Sequence, residues 1–325
     1  MQTTERPTNV NLVQIVSADL GNRFLKFLGK NGSVYRVPSF IYYFQDFQDS
    51  PEFIDDQSVF LEIADTRILV GKLAAELGGR ATYQLDKSEV ANLLLMAAIA
   101  PTPGSSLPMH IEQLRVCLPD SRDEQSVQNL KALETTRTLT RNGKKFTYSI
   151  GEVKIFNECA AAFRYAKKHD LFKHPDKLNG VLDFGGGTLL IKLFTPSGLV
   201  IREADITVDG TFDLARSIAA RLLPKLGKSP DLSLIMNGIA DGSYLYGATN
   251  LSFKAEFLKS HSEFLDTIKI LISEHWEQKY FPELGEVLLT GGSAPLLTAL
   301  ASKPNSRFKL VQNHQYINVL GMSLE

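Results

Sequence analysis

Two short stretches carry residue types suited to gripping a charged ligand: Asp19-Leu20-Gly21-Asn22 and Asp183-Phe184-Gly185-Gly186-Gly187-Thr188. Each sits where one apolar run ends and another begins. The first lies between Leu12-Val13-Gln14-Ile15-Val16 and Phe24-Leu25-Lys26-Phe27-Leu28, the second between Gly180-Val181-Leu182 and Leu189-Leu190-Ile191-Lys192-Leu193-Phe194. The grammar of strand, acidic residue, glycine turn and strand therefore occurs twice. A glycine bend lets backbone N–H groups approach an anion unobstructed, and a neighbouring aspartate can hold a hydrated Mg2+ beside the anion's oxygens. The pattern predicts a nucleotide clamped between two similar halves.

The elements that must position these turns can be read along the chain. After the first hairpin, Asn31-Gly32 signals a turn into a strand from Ser33 to Pro38. The region Gln45 to Gly79 is less regular, with short strands at Ser58 to Ile63 and Arg67 to Val70, and reads as an inserted subdomain extending to about residue 100. A helix follows from Lys87, with Val90, Leu93, Leu94 and Ala97 at helical spacing. Leu114 to Leu118 reads as a buried strand stopped by Pro119, Thr136 to Ile150 as a hairpin turning at Asn142-Gly143, and Ile155 to Lys168 as a helix. Within that helix the small side chains of Ala160-Ala161-Ala162 allow another backbone to come close.

In the second half, the hairpin turns at Thr195 to Gly198 into a strand from Leu199 to Thr207, and Asp209-Gly210-Thr211 leads a helix. A long helix from Phe253 to Trp276 carries an apolar stripe, flanked by His261 and Trp276 as packing residues. Finally, the strand Glu286 to Thr290 runs into Gly291-Gly292-Ser293-Ala294-Pro295, a third glycine bend at a strand end. These elements divide the chain into a flexible tail (1–10), a first domain (11–170), a second domain (171–312) and a C-terminal helix (313–325) returning to the first.

Composition sets bounds. A chain of 325 residues with 44% apolar and 22% charged residues is long enough for roughly two cores and is not disordered. Its formal charge of -1 gives no bias toward nucleic acid or anionic lipid, so no direct DNA binding is expected. The N-terminus lacks an apolar signal region, and the apolar stretch Val90 to Ala100 falls short of the ~20 residues of a membrane span. Cys117 and Cys159 read as buried reduced thiols of a cytoplasmic protein, and the six histidines have no ligand spacing.

Taken in order, D-L-G-N-R-F-L-K, N-E-C-A-A-A, D-F-G-G-G-T, L-L-T-G-G-S-A and Asn318-Val319-Leu320-Gly321-Met322 resemble the five-motif signature of the actin, heat-shock chaperone and sugar kinase ATPase superfamily. The resemblance spans Ile15 to Met322. The modest length, the Val37-Pro38-Ser39-Phe40 segment and Leu69 to Ala74 look most like the plasmid-segregating bacterial actins of the ParM/StbA type. That resemblance implies an α/β, two-domain actin-like ATPase fold, each domain a mixed five-stranded sheet flanked by helices, with ATP and Mg2+ in the interdomain cleft. It further implies head-to-tail filaments that hydrolyse ATP, a DNA-binding adaptor as partner, and plasmid or other DNA as cargo.

Site roles follow from the same resemblance. Asp19 and Asp183 arrange Mg2+ through its waters, while Gly21 and Asn22, and Gly185, Gly186, Gly187 and Thr188, cup the phosphates. Glu158 orients or deprotonates the attacking water. Lys26 matches the phosphate-1 lysine loosely and could equally be solvated. Gly291, Gly292 and Ser293 pass the adenosine, and Gly210 and Asp213 lie where relatives contact sugar or base. The chain departs from the pattern at Leu190, where many relatives carry an acid, and at Asn22 and Arg23. A small-molecule kinase with the same clamp is the alternative, although no further acidic base for an acceptor stands out; a non-polymerising actin-like scaffold is another.

Overall fold

The computed structural model describes residues 10–29, 32–82, 87–276 and 279–324. The expected N-terminal tail therefore falls almost wholly outside the described residues, as does Asn31 of the Asn31-Gly32 turn. The chain forms two units, one comprising Met1–Ala161 with Asn318–Glu325 and the other Ala162–Ile317.

In the first unit the strands are β1 (Asn11–Leu20), β2 (Phe24–Leu28), β3 (Val34–Pro38), β4 (Phe40–Tyr43), β5 (Ser58–Ile63), β6 (Thr66–Gly71), β7 (Arg80–Ala81), β8 (Met109–Leu118), β9 (Thr136–Arg141) and β10 (Lys144–Asn157). The helices are α1 (Lys72–Glu76), α2 (Lys87–Ala98) and α3 (Glu124–Lys131). All ten strands join one sheet in the order β3-β2-β1-β8-β10-β9-β5-β6-β4-β7. The expected five-stranded set is the first half of that order, with β1–β2 and β2–β3 antiparallel and β1–β8 and β8–β10 parallel. The sheet runs on because β9 does not end it. Leu61 and Glu62 of β5 pair with Arg141 and Thr140, so the inserted strands extend the sheet instead of forming a separate body. The far end curls back until Gly71 of β6 packs on Val37 of β3.

Helix α2 fills the inside of this curl. Val90, Leu93, Leu94 and Ala97 are buried against Leu20, Leu25, Leu61 and Val70, each buried leucine contributing about 1.5–3 kcal/mol. The three parallel strands share an irregularity. The side chains facing this core skip from Val13 to Val16 in β1, from Ile111 to Leu114 in β8 and from Ile150 to Val153 in β10. Those residues are level with one another, and each strand carries one extra residue at the skip.

Helix α4 (Ala160–Lys168) leads into the second unit. There the strands are β11 (Leu178–Phe184), β12 (Thr188–Phe194), β13 (Ile206–Asp209), β14 (Leu284–Thr290) and β15 (Phe308–Leu310), with helices α5 (Thr211–Leu226), α6 (Leu232–Ala240), α7 (Lys254–His275) and α8 (Thr298–Ala301). The sheet order is β13-β12-β11-β14-β15, again with two antiparallel pairs followed by two parallel ones. The topology of β3-β2-β1-β8-β10 is thus repeated strand for strand. The chain closes with α9 (Ile317–Ser323), where Gly321 lies against the Ala161 carbonyl so tightly that a Cβ at that position would sit 1.9 Å from the oxygen.

Two expected boundaries are corrected. Ile155, Phe156 and Asn157 belong to β10, since its parallel pairing with β8 continues to Asn157 opposite Leu118; the helix begins only at Ala160. The strand from Leu199 to Thr207 is interrupted by a 3-10 turn at Arg202–Ala204, where the indole of buried Trp276 donates to Ala204 O at 2.9 Å. Trp276 and His261, which bonds Leu296 O at 2.6 Å, are packing residues, as expected. Both cysteines are buried thiols. Among the described residues no helix is long and apolar enough to cross a membrane.

Candidate functional site

In open α/β sheets ligands gather beyond the carboxyl ends of the parallel strands. In the first unit those ends belong to β1, β8 and β10, and they carry Asp19 and Glu158. Asp19 is 4% exposed and its carboxylate accepts from Lys26 Nζ at 2.8 Å across the β1–β2 pair. Lys26 is therefore no solvated strand lysine: its side chain is 12% exposed and balances a buried charge.

The hairpin tip between them is held by two hydroxyl residues remote from it in sequence. Ser39 Oγ donates to Gly21 O at 2.7 Å and Thr82 Oγ1 to Asn22 O at 2.8 Å, while Ser39 N–H donates to Arg23 O at 2.9 Å. Every carbonyl of the tip from Gly21 to Arg23 is thus tied down. Ser39 falls in the Val37–Phe40 segment noted in the sequence, though nothing there gives it this role; Thr82 carries no such signal and reaches the tip only once β7 has joined β4.

Glu158 follows the last residue of β10. Its N–H donates to Leu118 O at 2.8 Å, and its own carbonyl accepts from Ala160 N–H at 2.8 Å around Cys159. Cys159 has φ 66°, a conformation that a residue with a side chain adopts only under constraint. The tight turn separates the strand from α4 and leaves the half-buried Glu158 at the same end of the sheet as Asp19.

In the second unit three loops meet at the ends of β11 and β14. Asp183, 7% exposed, is level with Thr290, and the glycine turns of both strands begin just beyond. The loops brace one another. Gly210 N–H donates to Gly187 O at 3.1 Å, Thr211 N–H to Gly185 O at 3.2 Å, Phe212 N–H to Gly186 O at 2.9 Å and Ser293 N–H to Phe184 O at 2.9 Å. Buried Thr211, likewise unmarked by any motif, links all three through Oγ1, which donates to Gly185 O (3.0 Å) and shares a hydrogen bond with Ser293 Oγ (2.5 Å).

With their carbonyls so engaged, Gly186 and Gly187 have no backbone acceptor for their own N–H groups among the described residues, which is the arrangement an anion cradle requires. Gly291, at φ 91°, sits where a Cβ would lie 2.4 Å from Asp183 Oδ1. His314 brackets it, accepting its N–H at 2.8 Å and donating Nδ1–H to its carbonyl at 2.7 Å. Gly292 has no such constraint, since a Cβ there would come no nearer than 3.9 Å to Gln315 Nε2.

Asp213 stands apart from this cluster. Half exposed on the first turn of α5, it pairs loosely with Arg216 at 3.7 Å. It lines a cavity of about 540 Å³ between α5 and α7, together with Ser217, Ser260, Glu263 and Phe264. Within each unit, then, the buried carboxylate and the glycine turn stand together, and the donor set fits a hydrated divalent cation beside an oxyanion: Asp19 and Asp183 offer hard oxygens, and the turns offer backbone N–H groups.

No family model matches the chain, and none of the curated proteins matches it. Solved structures do. The apo pSK41 ParM protein is 18% identical over 96% of each chain, with a TM-score of 0.69. A ParM in a 15-stranded filament from Clostridium botulinum is 17% identical over 95% of this chain and 97% of its own, with a TM-score of 0.74. The chain has an actin-like fold. An archaeal actin homologue in complex with ADP resembles it over 95% of this chain and 98% of its own, at 13% identity and a TM-score of 0.73. The repeated sheet order of the two units belongs to that fold.

Proposed function

We propose that the chain binds Mg2+–ATP on its two glycine-turn hairpins, hydrolyses it slowly, and assembles head to tail into filaments. One observation carries this reading: the same aspartate and glycine turn occupies the carboxyl end of the central strand in two five-strand runs of matching order. The ADP complex of the archaeal homologue and the ParM filament support it at the level of fold.

In this reading the N–H groups of Gly186 and Gly187 hold phosphate oxygens, helped by the turn at Gly21 and Asn22. Asp19 and Asp183 hold the waters of Mg2+, which when bound would neutralise charge on the phosphate oxygens. Lys26 holds Asp19 in place. Glu158 orients the attacking water, for which in-line placement matters more than base strength. The cavity beside Asp213 offers space for sugar and base, with Gly210, Gly291, Gly292 and Ser293 shaping the approach. Head-to-tail addition through unlike faces yields an open helix. The resemblance to segregation actins extends the reading to a cytoplasmic filament that moves DNA through a DNA-binding adaptor.

The test is light scattering of the purified chain. Scattering that rises on adding Mg2+–ATP above a threshold protein concentration, and falls as ADP accumulates, is the expected result. Flat scattering across salts and concentrations overturns assembly, and absence of ADP production overturns hydrolysis.

A further inference from the structure

The ten-stranded sheet has two ends, and the loops of the candidate site occupy only the carboxyl end of its parallel strands. At the other end a cavity of about 750 Å³ opens inside the curl, walled by Val13, Val16, Phe27, Val37, Val59 and Ile99. That is the volume of a drug-sized ligand site, and the mouth of a curled sheet is a common place for one.

Among the described residues its charged groups are one arginine and two aspartates. Arg141, the last residue of β9, lines the cavity and is largely buried. Its Nε and Nη2 donate to Ala97 O at 3.2 and 3.0 Å, and its Nη1 has no partner among the described residues. Burial pushes its pKa down to about 10, which leaves it cationic at neutral pH. Asn142, beside it, spends Oδ1 on Phe60 N–H at 2.8 Å and leaves its Nδ2 donors unspent. A cation largely withdrawn from water between apolar walls is costly unless an anion answers it.

Asp55 and Asp56 line the cavity too. Asp55 accepts from Gln57 N–H at 3.1 Å and faces Lys72 at 3.7 Å, while Asp56 is exposed. A ligand with negative charge at its outer end would meet these carboxylates, whereas one with a single inner charge would not.

We propose that this cavity binds a monocarboxylate with an apolar body, its carboxylate on Arg141 and Asn142 and its body along β1 and β3. The carboxylate takes the N–H groups that the protein leaves unspent, in a surrounding where charge-assisted hydrogen bonds are strong. The apolar body covers side chains that otherwise face water. Residues 13–17 of β1 line this end and Asp19 follows two residues later, yet the pocket needs no nucleotide to be complete.

Titration calorimetry on the full chain tests this with three ten-carbon probes below any micelle-forming concentration: decanoate, decanol and decanedioate. Saturable one-to-one binding of decanoate is expected, with decanol and decanedioate each at least tenfold weaker. Arg141→Met should weaken decanoate at least tenfold. Because Arg141 also holds the end of α2, Val13→Phe, which fills the cavity from a half-buried position, provides a second variant; it should abolish binding without lowering the thermal midpoint. No decanoate binding, equal affinity for decanol, or undiminished binding in a folded Val13→Phe variant overturns the proposal.

Discussion

Lys26 and Asp19 form an ion pair with little access to water, and such pairs are asymmetric in their response to mutation. Lys26→Met leaves an uncompensated carboxylate and should lower stability by about 3 kcal/mol, read as a shift in the urea midpoint. Adding Asp19→Asn should recover most of that loss; a double variant no more stable than the single one would show that Lys26 acts by packing alone. The proposed catalytic groups separate by what they touch. Glu158→Ala should leave nucleotide affinity nearly intact while slowing turnover by about 100-fold, as loss of a positioned acid–base group does. Asp183→Ala should instead weaken Mg2+–nucleotide binding itself. Equal affinity losses in both variants would place Glu158 in binding and remove it from water activation.

At the scale of elements, the contact between α9 and the start of α4 leaves no room for a side chain. Gly321→Ala must move one helix against the backbone of the other, and a loss of about 3 kcal/mol is expected in chemical denaturation. An unchanged midpoint would mean the contact yields freely. The β9–β10 hairpin offers a test by pH. Burial pushes the Tyr148 phenol up to about 12 from its usual 10. Between those values the unfolded chain sheds a proton that the folded chain keeps, so this contribution to stability is complete below pH 10 and vanishes as pH rises through 12. Tyr148→Phe should gain on wild type by about 2–3 kcal/mol from pH 10 to pH 12, and a constant difference would contradict the burial.

Elements with strong local signals are legible in the sequence alone. Strands β1, β2, β11, β12 and β14 are apolar runs cut by glycine turns, and α7 carries its stripe openly. Helix α3 is not legible in this way, because in Glu124–Lys131 only Leu130 is buried and, Val127 apart, the rest is polar. Nor is α6, nine residues long with Gly238 inside it. The end of β10 misleads since Phe156 and Asn157 suit a strand or a helix locally, and only their pairing with Cys117 and Leu118 decides. The candidate site divides in the same way. Its aspartates and glycines stand out by type and spacing, whereas Ser39, Thr82 and Thr211 acquire their roles from loops that meet only after folding.

For the molecule as a whole, the proposal of a nucleotide-driven filament makes a quantitative demand. If subunits add in the ATP state and leave in the ADP state, the threshold concentration for assembly should be lower with a non-hydrolysed ATP analogue than with ADP, and Glu158→Ala filaments should outlast those of wild type in sedimentation. Equal thresholds in both nucleotide states would separate assembly from hydrolysis.

The synchronous skip in β1, β8 and β10 bears on which changes of length the chain can absorb. Deleting Gln14 alone would put β1 out of phase with its neighbours and send Asp19 toward the apolar interior or Val13 away from it. Losing one residue from each strand at the same level, Gln14, Glu112 and Gly151 together, would restore a regular pleat. Shortening that is ruinous singly is thus tolerable only in concert, and descendants of this gene are barred from reaching the shorter sheet by single steps.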